Sequence, residues 1–154
     1  MFSDCYYITE IDLSGFDSSE VNNTAFMFNG CFNLKRLKFP NLITEKVTDS
    51  SWMFSACNSL THLIWPESNV SGVEDMTFMF CACMNLSELN LENFNLGKNC
   101  NVNYIFSGCY KLKKIKLNKG NREILGKKLP KEVEVVVGLN GVLIWRCGVL
   151  LCDN

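Results

Sequence analysis

Residues 79–91 read Met79-Phe80-Cys81-Ala82-Cys83-Met84-Asn85-Leu86-Ser87-Glu88-Leu89-Asn90-Leu91. Their second half, L-x-x-L-x-L, ends in the strict apolar–polar alternation of a half-buried strand. The stretch leading into it is spaced differently. Val73, Met76, Met79, Phe80 and Cys83 form the one-sided stripe of a short helix or 3₁₀ segment. Working outward, the same columns recur every 26 residues without an insertion: Met1-Phe2, Met27-Phe28, Met53-Phe54, Met79-Phe80 and Ile105-Phe106. With them run Cys5, Cys31, Cys57, Cys83 and Cys109, then Ile8, Leu34, Leu60, Leu86 and Leu112. Ile11, Leu37, Leu63, Leu89 and Ile115 follow, then Leu13, Phe39, Trp65, Leu91 and Leu117. A small residue (Gly30, Ala56, Ala82, Gly108) precedes each cysteine from the second unit on, as expected where neighbouring backbones approach closely.

Turn-formers separate strand from return: Ser14-Gly15, Pro40-Asn41, Pro66-Glu67 and Glu92-Asn93. A strand–turn–helix unit of this length cannot bury its apolar face alone, so the units must stack into a solenoid. Parallel strands ~4.8 Å apart then form one sheet along the array. The predicted fold is α/β, a leucine-rich-repeat-like solenoid with a parallel sheet on one face and short helical segments on the other. The unit M-F-x-x-C-x-x-L-x-x-L-x-L resembles the BspA-like leucine-rich repeat, over residues 1–117. That resemblance implies a leucine-rich-repeat solenoid, no catalytic residues, and a binding or adhesive role. Arrays of this kind are common on surface proteins of host-associated bacteria and protists.

The predicted organisation is one structural domain. Residues 1–117 form the solenoid, about four and a half units, 118–131 a basic connecting segment, and 132–154 a β cap. The register is lost after Asn118, since Lys131 and Glu132 stand where the next Met-Phe would fall. Val133–Val137 and Val142–Trp145 flank Gly138-Leu139-Asn140-Gly141 and read as a hairpin, with Val149–Cys152 a further strand. At the other end the first unit lacks its helical half. An exposed apolar edge is expected around Phe2, Ile8, Ile11 and Leu13, a surface for self-association.

Composition bounds the function. At 154 residues and 47% hydrophobic, the chain is an ordinary globular domain rather than a disordered one. Its apolar runs are far shorter than the ~20 residues of a membrane helix. Neither a basic n-region nor an anchor motif is present, so the chain as written reads as cytoplasmic, and as cell-surface if it is a piece of a longer protein. The net charge of −1 conceals a split. Residues 1–96 hold 4 Lys/Arg against 12 Asp/Glu, and residues 97–154 hold 11 against 4. Nine cysteines, an odd number, do not suggest a disulfide framework. The periodic five are expected to be small buried hydrophobes with weak S–H donors. Cys81-x-Cys83 and Cys147-x4-Cys152 do not match structural zinc spacing. No metal or cofactor is implied. His62 is the only histidine and its neighbour Cys57 belongs to the inward column, so a Cys/His nucleophile pair is not expected.

Three features are able to carry recognition. The outward positions of the strands change from unit to unit: Thr9, Glu10 and Asp12, then Lys35, Arg36 and Lys38, then Thr61, His62 and Ile64. Ser87, Glu88 and Asn90 follow, then Lys113, Lys114 and Lys116. This is either a merely solvated face or a variable recognition strip on a repeated scaffold. The strip reading places the partner contact on Lys35, Arg36, Lys38, Thr61, His62, Ile64, Lys113, Lys114 and Lys116, for a protein partner of acidic character. Lys111 to Lys131 holds nine Lys/Arg against Glu123 alone, a block able to meet nucleic acid or an anionic membrane surface, though no base-stacking aromatics are interleaved. Phe26, Trp52, Phe78 and Tyr104 form an aromatic column, read as a ladder stacked between units or as an exposed ridge for a partner.

Overall fold

The structure, a computed structural model, describes residues 1–39, 45–66, 68–130, 132–137, 143–146 and 149–152. Each L-x-x-L-x-L motif contributes one short strand: β1 (Glu10–Asp12), β2 (Arg36–Lys38), β3 (His62–Ile64), β5 (Glu88–Leu91) and β7 (Lys114–Leu117). A second strand in two of the returns, β4 (Ser68–Val70) and β6 (Phe94–Leu96), pairs in parallel on another wall. Pairing is parallel and in register with the sequence repeat: Ile11 lies opposite Leu37, and Leu63, Leu89 and Ile115 lie side by side. The fold is therefore the expected leucine-rich-repeat-like solenoid. None of its helices among the described residues is long and apolar enough to cross a membrane.

On the wall opposite the strands, the Met-Phe segments do not run as continuous helix. They keep the i→i+3 bond of a 3₁₀ segment but interrupt it with left-handed residues. In the second repeat the amides of Met27, Asn29 and Cys31 donate to the carbonyls of Thr24, Phe26 and Phe28. The amides between them, of Phe26, Phe28 and Gly30, donate to Ser51, Met53 and Ser55 of the next repeat at 2.9–3.0 Å. Alternate peptides thus point within the turn and along the solenoid axis. The flip needs positive φ, as at the third position of a type II turn. It is found at Phe26 (57°), Trp52 (58°), Phe78 (58°) and Tyr104 (58°), and again at Gly30 (73°), Ala56 (60°), Ala82 (56°) and Gly108 (78°). The small-residue column is explained by this conformation as well as by close packing: a Cβ on Gly108 would lie 3.2 Å from the backbone of Ala82.

A side-chain device precedes each turn. Asn23, Asp49, Asp75 and Asn101 bridge repeat to repeat, and each Oδ1 accepts the amide two residues on, at 2.7–3.3 Å. These Asx turns start every repeat at the same point. Inside, the phenylalanines of Met-Phe stack along the axis. Phe2, Phe28, Phe54, Phe80 and Phe106 follow one another at centroid spacings of 5.2–6.0 Å. Trp65 closes the next corner edge-on to Phe39 and Phe94.

The ends differ from expectation in two respects. Ile11 and Leu13, expected in an exposed N-terminal edge, are buried, and Phe2 and Ile8 are half-buried. The segment expected as a basic connector holds a helix, α1 (Lys119–Leu125), followed by a 3₁₀ turn over Gly126–Lys128. Asn118 caps α1 at the Asn121 amide, and its Nδ2 donates to the Glu92 carbonyl. Asn121 is buried. Its Nδ2 donates to Leu91 O and Phe94 O, and its Oδ1 accepts from Leu96 N. The two asparagines thereby satisfy the open backbone of repeat four, while Leu125 is fully buried in the core. β8 (Glu134–Val137) then pairs in parallel with β7. β9 (Leu143–Arg146) and β10 (Val149–Cys152) add antiparallel strands beyond it. The Gly138–Gly141 loop of the expected hairpin lies outside the described residues.

The turn wall yields a stability prediction. An alanine at positive φ costs ~1–2 kcal/mol, and glycine loses ~0.5–1 kcal/mol in chain entropy on folding. Ala56→Gly should therefore raise stability by about 0.5–1 kcal/mol. Gly108→Ala should lower it by about 1–2 kcal/mol, adding a left-handed alanine against the Ala82 backbone. Urea denaturation followed by circular dichroism reads both, and opposite signs are the expected result.

Candidate functional site: the strand face

The inward side chain of each strand fixes where the others point. With Leu63, Leu89 and Ile115 buried, the residues on either side project to the strand face. All nine residues of the expected contact strip reach it: Lys114 is half-buried, and the other eight are exposed. They do not form one uniform surface. Arg36 meets Glu10 at 2.5 Å, and Lys38 meets Asp12 at 3.5 Å, each pair laid directly across the β1–β2 ladder. The Asp12 carboxyl also accepts the Ser14 hydroxyl and amide, which with Lys38 hold its pKa below the usual carboxylate value. Exposed pairs of this kind contribute little stability. Their effect here is to neutralise the first two repeats locally.

Farther along, the face changes character. Ile64 stands 74% exposed in the third strand, beside His62, whose Nδ1 lies 2.9 Å from the Thr61 hydroxyl. Lys113, Lys114 and Lys116 make no ion pair among the described residues, although Glu134 lies opposite Lys114 in register. The acidic and basic ends inferred from composition thus become, on this face, a neutralised end and a basic end.

The nine-residue basic block does not converge. Lys113 and Lys116 lie on the strand face, and Lys111 reaches back to Asn85 Oδ1 at 2.7 Å. Lys119 and Arg122 ride on α1, Lys128 bonds Asn103 Oδ1 on the turn wall, and Lys131 lies outside the described residues. The aromatic column is a ladder and an exposed ridge at once. Phe26, Trp52, Phe78 and Tyr104 stack at 5.9, 4.2 and 4.8 Å, while Phe26 and Tyr104 remain 46% and 63% exposed. Because the ring faces meet one another, the middle rings offer a partner mainly their edges.

Residues 1–119 match the family described as "Mycoplasma protein of unknown function, DUF285". The chain belongs to this family. A crystal structure of a leucine-rich repeat protein from Bacteroides ovatus is similar to this DUF285 chain at 23% identity and a TM-score of 0.49. The similarity covers 73% of this chain and 27% of that one, so the chain spans about a quarter of that protein's length. No curated protein matches it.

The periodic cysteines of the DUF285 chain have a bonding role that the sequence does not display. The thiols of Cys31, Cys57, Cys83 and Cys109 donate to the carbonyls of Phe2, Phe28, Phe54 and Phe80 in the preceding repeat, at 3.0–3.3 Å. Among the described residues no three His, Cys, Asp or Glu side chains are grouped as a metal site would require. Burial pushes the Cys31 thiol up to about 11 and those of Cys100 and Cys109 up to about 12, and it raises Cys57 and Cys83 as well. A raised thiol pKa keeps the group protonated and unreactive. The sign for stability follows from linkage. Between the ordinary thiol value near 9 and the raised native values, the unfolded chain deprotonates while the native one does not. The stabilisation from these cysteines is whole below pH 9 and falls as pH climbs to about 12. Native protein at pH 8 should therefore leave Cys31, Cys57, Cys83, Cys100 and Cys109 unlabelled by a thiol-disulfide reagent. All nine cysteines should react once guanidinium unfolds the chain. Fast labelling of the native column, read by peptide mass mapping, would contradict the buried thiol ladder.

Proposed function

We propose that the chain is a non-catalytic repeat module that binds a protein partner through its strand face. The observation that carries this reading is the contrast between inward and outward positions. The inward columns stay apolar at every position and build the scaffold. The outward positions vary from strand to strand and stay exposed or half-buried, with Ile64 and a lysine cluster that makes no ion pair among the described residues placed where solvation alone requires neither. Concave faces of repeat solenoids are extended surfaces suited to such recognition. Lys113, Lys114 and Lys116 favour a partner with an acidic patch, which they would steer and orient. The BspA-like resemblance of the 26-residue unit supports the same reading, including an adhesive role. Binding of nucleic acid or membrane through residues 111–131 is less well supported, because those cations are spread over the strand face, α1 and the turn wall.

Charge reversal tests the reading. The triple variant Lys113→Glu, Lys114→Glu, Lys116→Glu should melt within a few degrees of the parent, since these side chains make no ion pair among the described residues. It should weaken a partner complex, recovered with the parent chain and measured by calorimetry, at least tenfold. Reversing Lys127 and Lys128 together should leave that affinity unchanged. The opposite pattern moves the contact from the strands to the turn wall and defeats the proposal.

A further inference from the structure

The strand ladder breaks at one place. β1 pairs with β2, and β3, β5, β7, β8, β9 and β10 form a continuous sheet, but β2 and β3 do not pair and stand farther apart than laddered neighbours. The other repeats show which bonds are missing. Lys35 and Arg36 donate to Thr9 O, Ser87 and Glu88 to Thr61 O, and Lys113 and Lys114 to Ser87 O. The equivalent bonds from Thr61 and His62 to Lys35 O do not form. Leu13 donates to Lys38 O and Trp65 to Asn90 O, whereas the matching bond from Phe39 to Ile64 O is absent.

The break is confined to the strand wall. On the turn wall the same two repeats are joined by Phe26, Phe28 and Gly30 donating to Ser51, Met53 and Ser55. The Cys57 thiol bonds Phe28 O at 3.3 Å in the same interval. The repeats are therefore clasped at the turns and open at the strands. A groove of about 610 Å³ lies over the opening, lined by residues of β1, β2 and β3, well within the ~300–1,000 Å³ of ligand sites. Its floor is apolar. Leu37 is only half-buried, where Ile11, Leu63, Leu89 and Ile115 of the same column are 8% exposed or less.

We propose that an extended segment of the partner, acidic–apolar–acidic at its centre, enters this opening as an added strand between β2 and β3. The proposal rests on the strand-face reading and names its mode of contact. Two facing edges with unmet amides and carbonyls are satisfied together only by a strand, whose alternate peptides point to either side. Its central side chain turns inward and covers Leu37. The flanking side chains turn outward beside Arg36 and Lys38. There an acid shares Arg36 and Lys38 with Glu10 and Asp12 on the other side of β2, and Lys35, which makes no ion pair among the described residues, adds a further cation at the rim.

The chain supplies a probe with this pattern: residues 9–14, Thr-Glu-Ile-Asp-Leu-Ser, whose Glu-Ile-Asp core already pairs with Arg36, Leu37 and Lys38 as β1. A capped, fluorescein-labelled hexapeptide of this sequence, titrated with the full chain, should give saturable anisotropy. N-methylating the peptide's isoleucine amide, or exchanging its two acids for lysine, should weaken binding at least tenfold. Hydrogen exchange at the amides of Phe39, Thr61 and His62, whose counterparts in the other repeats bond across the ladder, should slow when peptide is present. Equal binding by the N-methylated peptide, or unchanged exchange at all three amides, overturns strand addition. If strand addition fails while reversal of Lys113, Lys114 and Lys116 still weakens the partner complex, only the mode is wrong. If neither effect is seen, the strand-face reading fails as well. Concentration-dependent dimerisation that the peptide dissolves would make a second copy the occupant and overturn the assignment to another protein.

Discussion

The alternation of backbone amides along the turn wall is the constraint on which the rest of the structure depends. From Phe26 to Cys31 every amide is used, one closing a turn within the repeat and the next bonding forward to the following repeat. Such saturation leaves no freedom in the length of the segment between Asn23 and Leu34, which accounts for the absence of insertions in that part of every unit. It also requires two left-handed residues per turn. Glycine would be the unstrained choice at both, yet one column is aromatic throughout. A left-handed non-glycine residue costs ~1–2 kcal/mol, while an aromatic pair returns ~0.5–1.5 kcal/mol beyond its burial. The stacks of Phe26, Trp52, Phe78 and Tyr104 offset much of the strain they sit in, and the forward hydrogen bonds supply the remainder.

The cysteine column belongs to the same economy of backbone groups. The buried carbonyls of Phe28, Phe54 and Phe80 each accept the Cys amide of their own turn and the Cys thiol of the next repeat. Cysteine suits a site that is closed, apolar and in need of one weak donor. Serine would bring a stronger donor together with a larger desolvation penalty, and alanine would leave the second lone pair unmatched. A column spread along the axis and held protonated by burial is structural chemistry. The odd total of cysteines therefore carries no message about disulfides.

Much of this was legible in the sequence, because a repeat exposes any position whose side chain is dictated by its neighbours. The apolar columns gave the strands, their register and the stacking direction. The small column before each cysteine was visible, although its dominant cause, positive φ, is a backbone property that Ala56 and Ala82 conceal. Asn23, Asp49, Asp75 and Asn101 form a polar column as regular as the leucines and carry the same 26-residue signal. The helix α1 was obscured by its place in the lysine-rich stretch 111–131, and its anchor, Asn121, works through tertiary bonds to Leu91, Phe94 and Leu96 that have no local signature. The pairing of Arg36 and Lys38 with Glu10 and Asp12 follows from the register, since side chains one repeat apart on a parallel ladder are neighbours.

The opening between β2 and β3 was not legible, and the architecture explains why. Lys35-Arg36-Leu37-Lys38 fits the strand motif as well as any other unit. Whether adjacent strands close depends on the sum of contacts along a repeat boundary rather than on the motif itself. The boundary between the second and third repeats already carries the turn-wall bonds, the Phe28–Phe54 stack at 5.2 Å and the Cys57 thiol bond. With those in place, three-residue strands add little to the cohesion of the pair, so a solenoid held together at its turns tolerates an open strand wall. The same division of labour lets outward strand residues vary without harm to the fold. A recognition surface can then sit on the one wall whose hydrogen bonds the scaffold is able to do without.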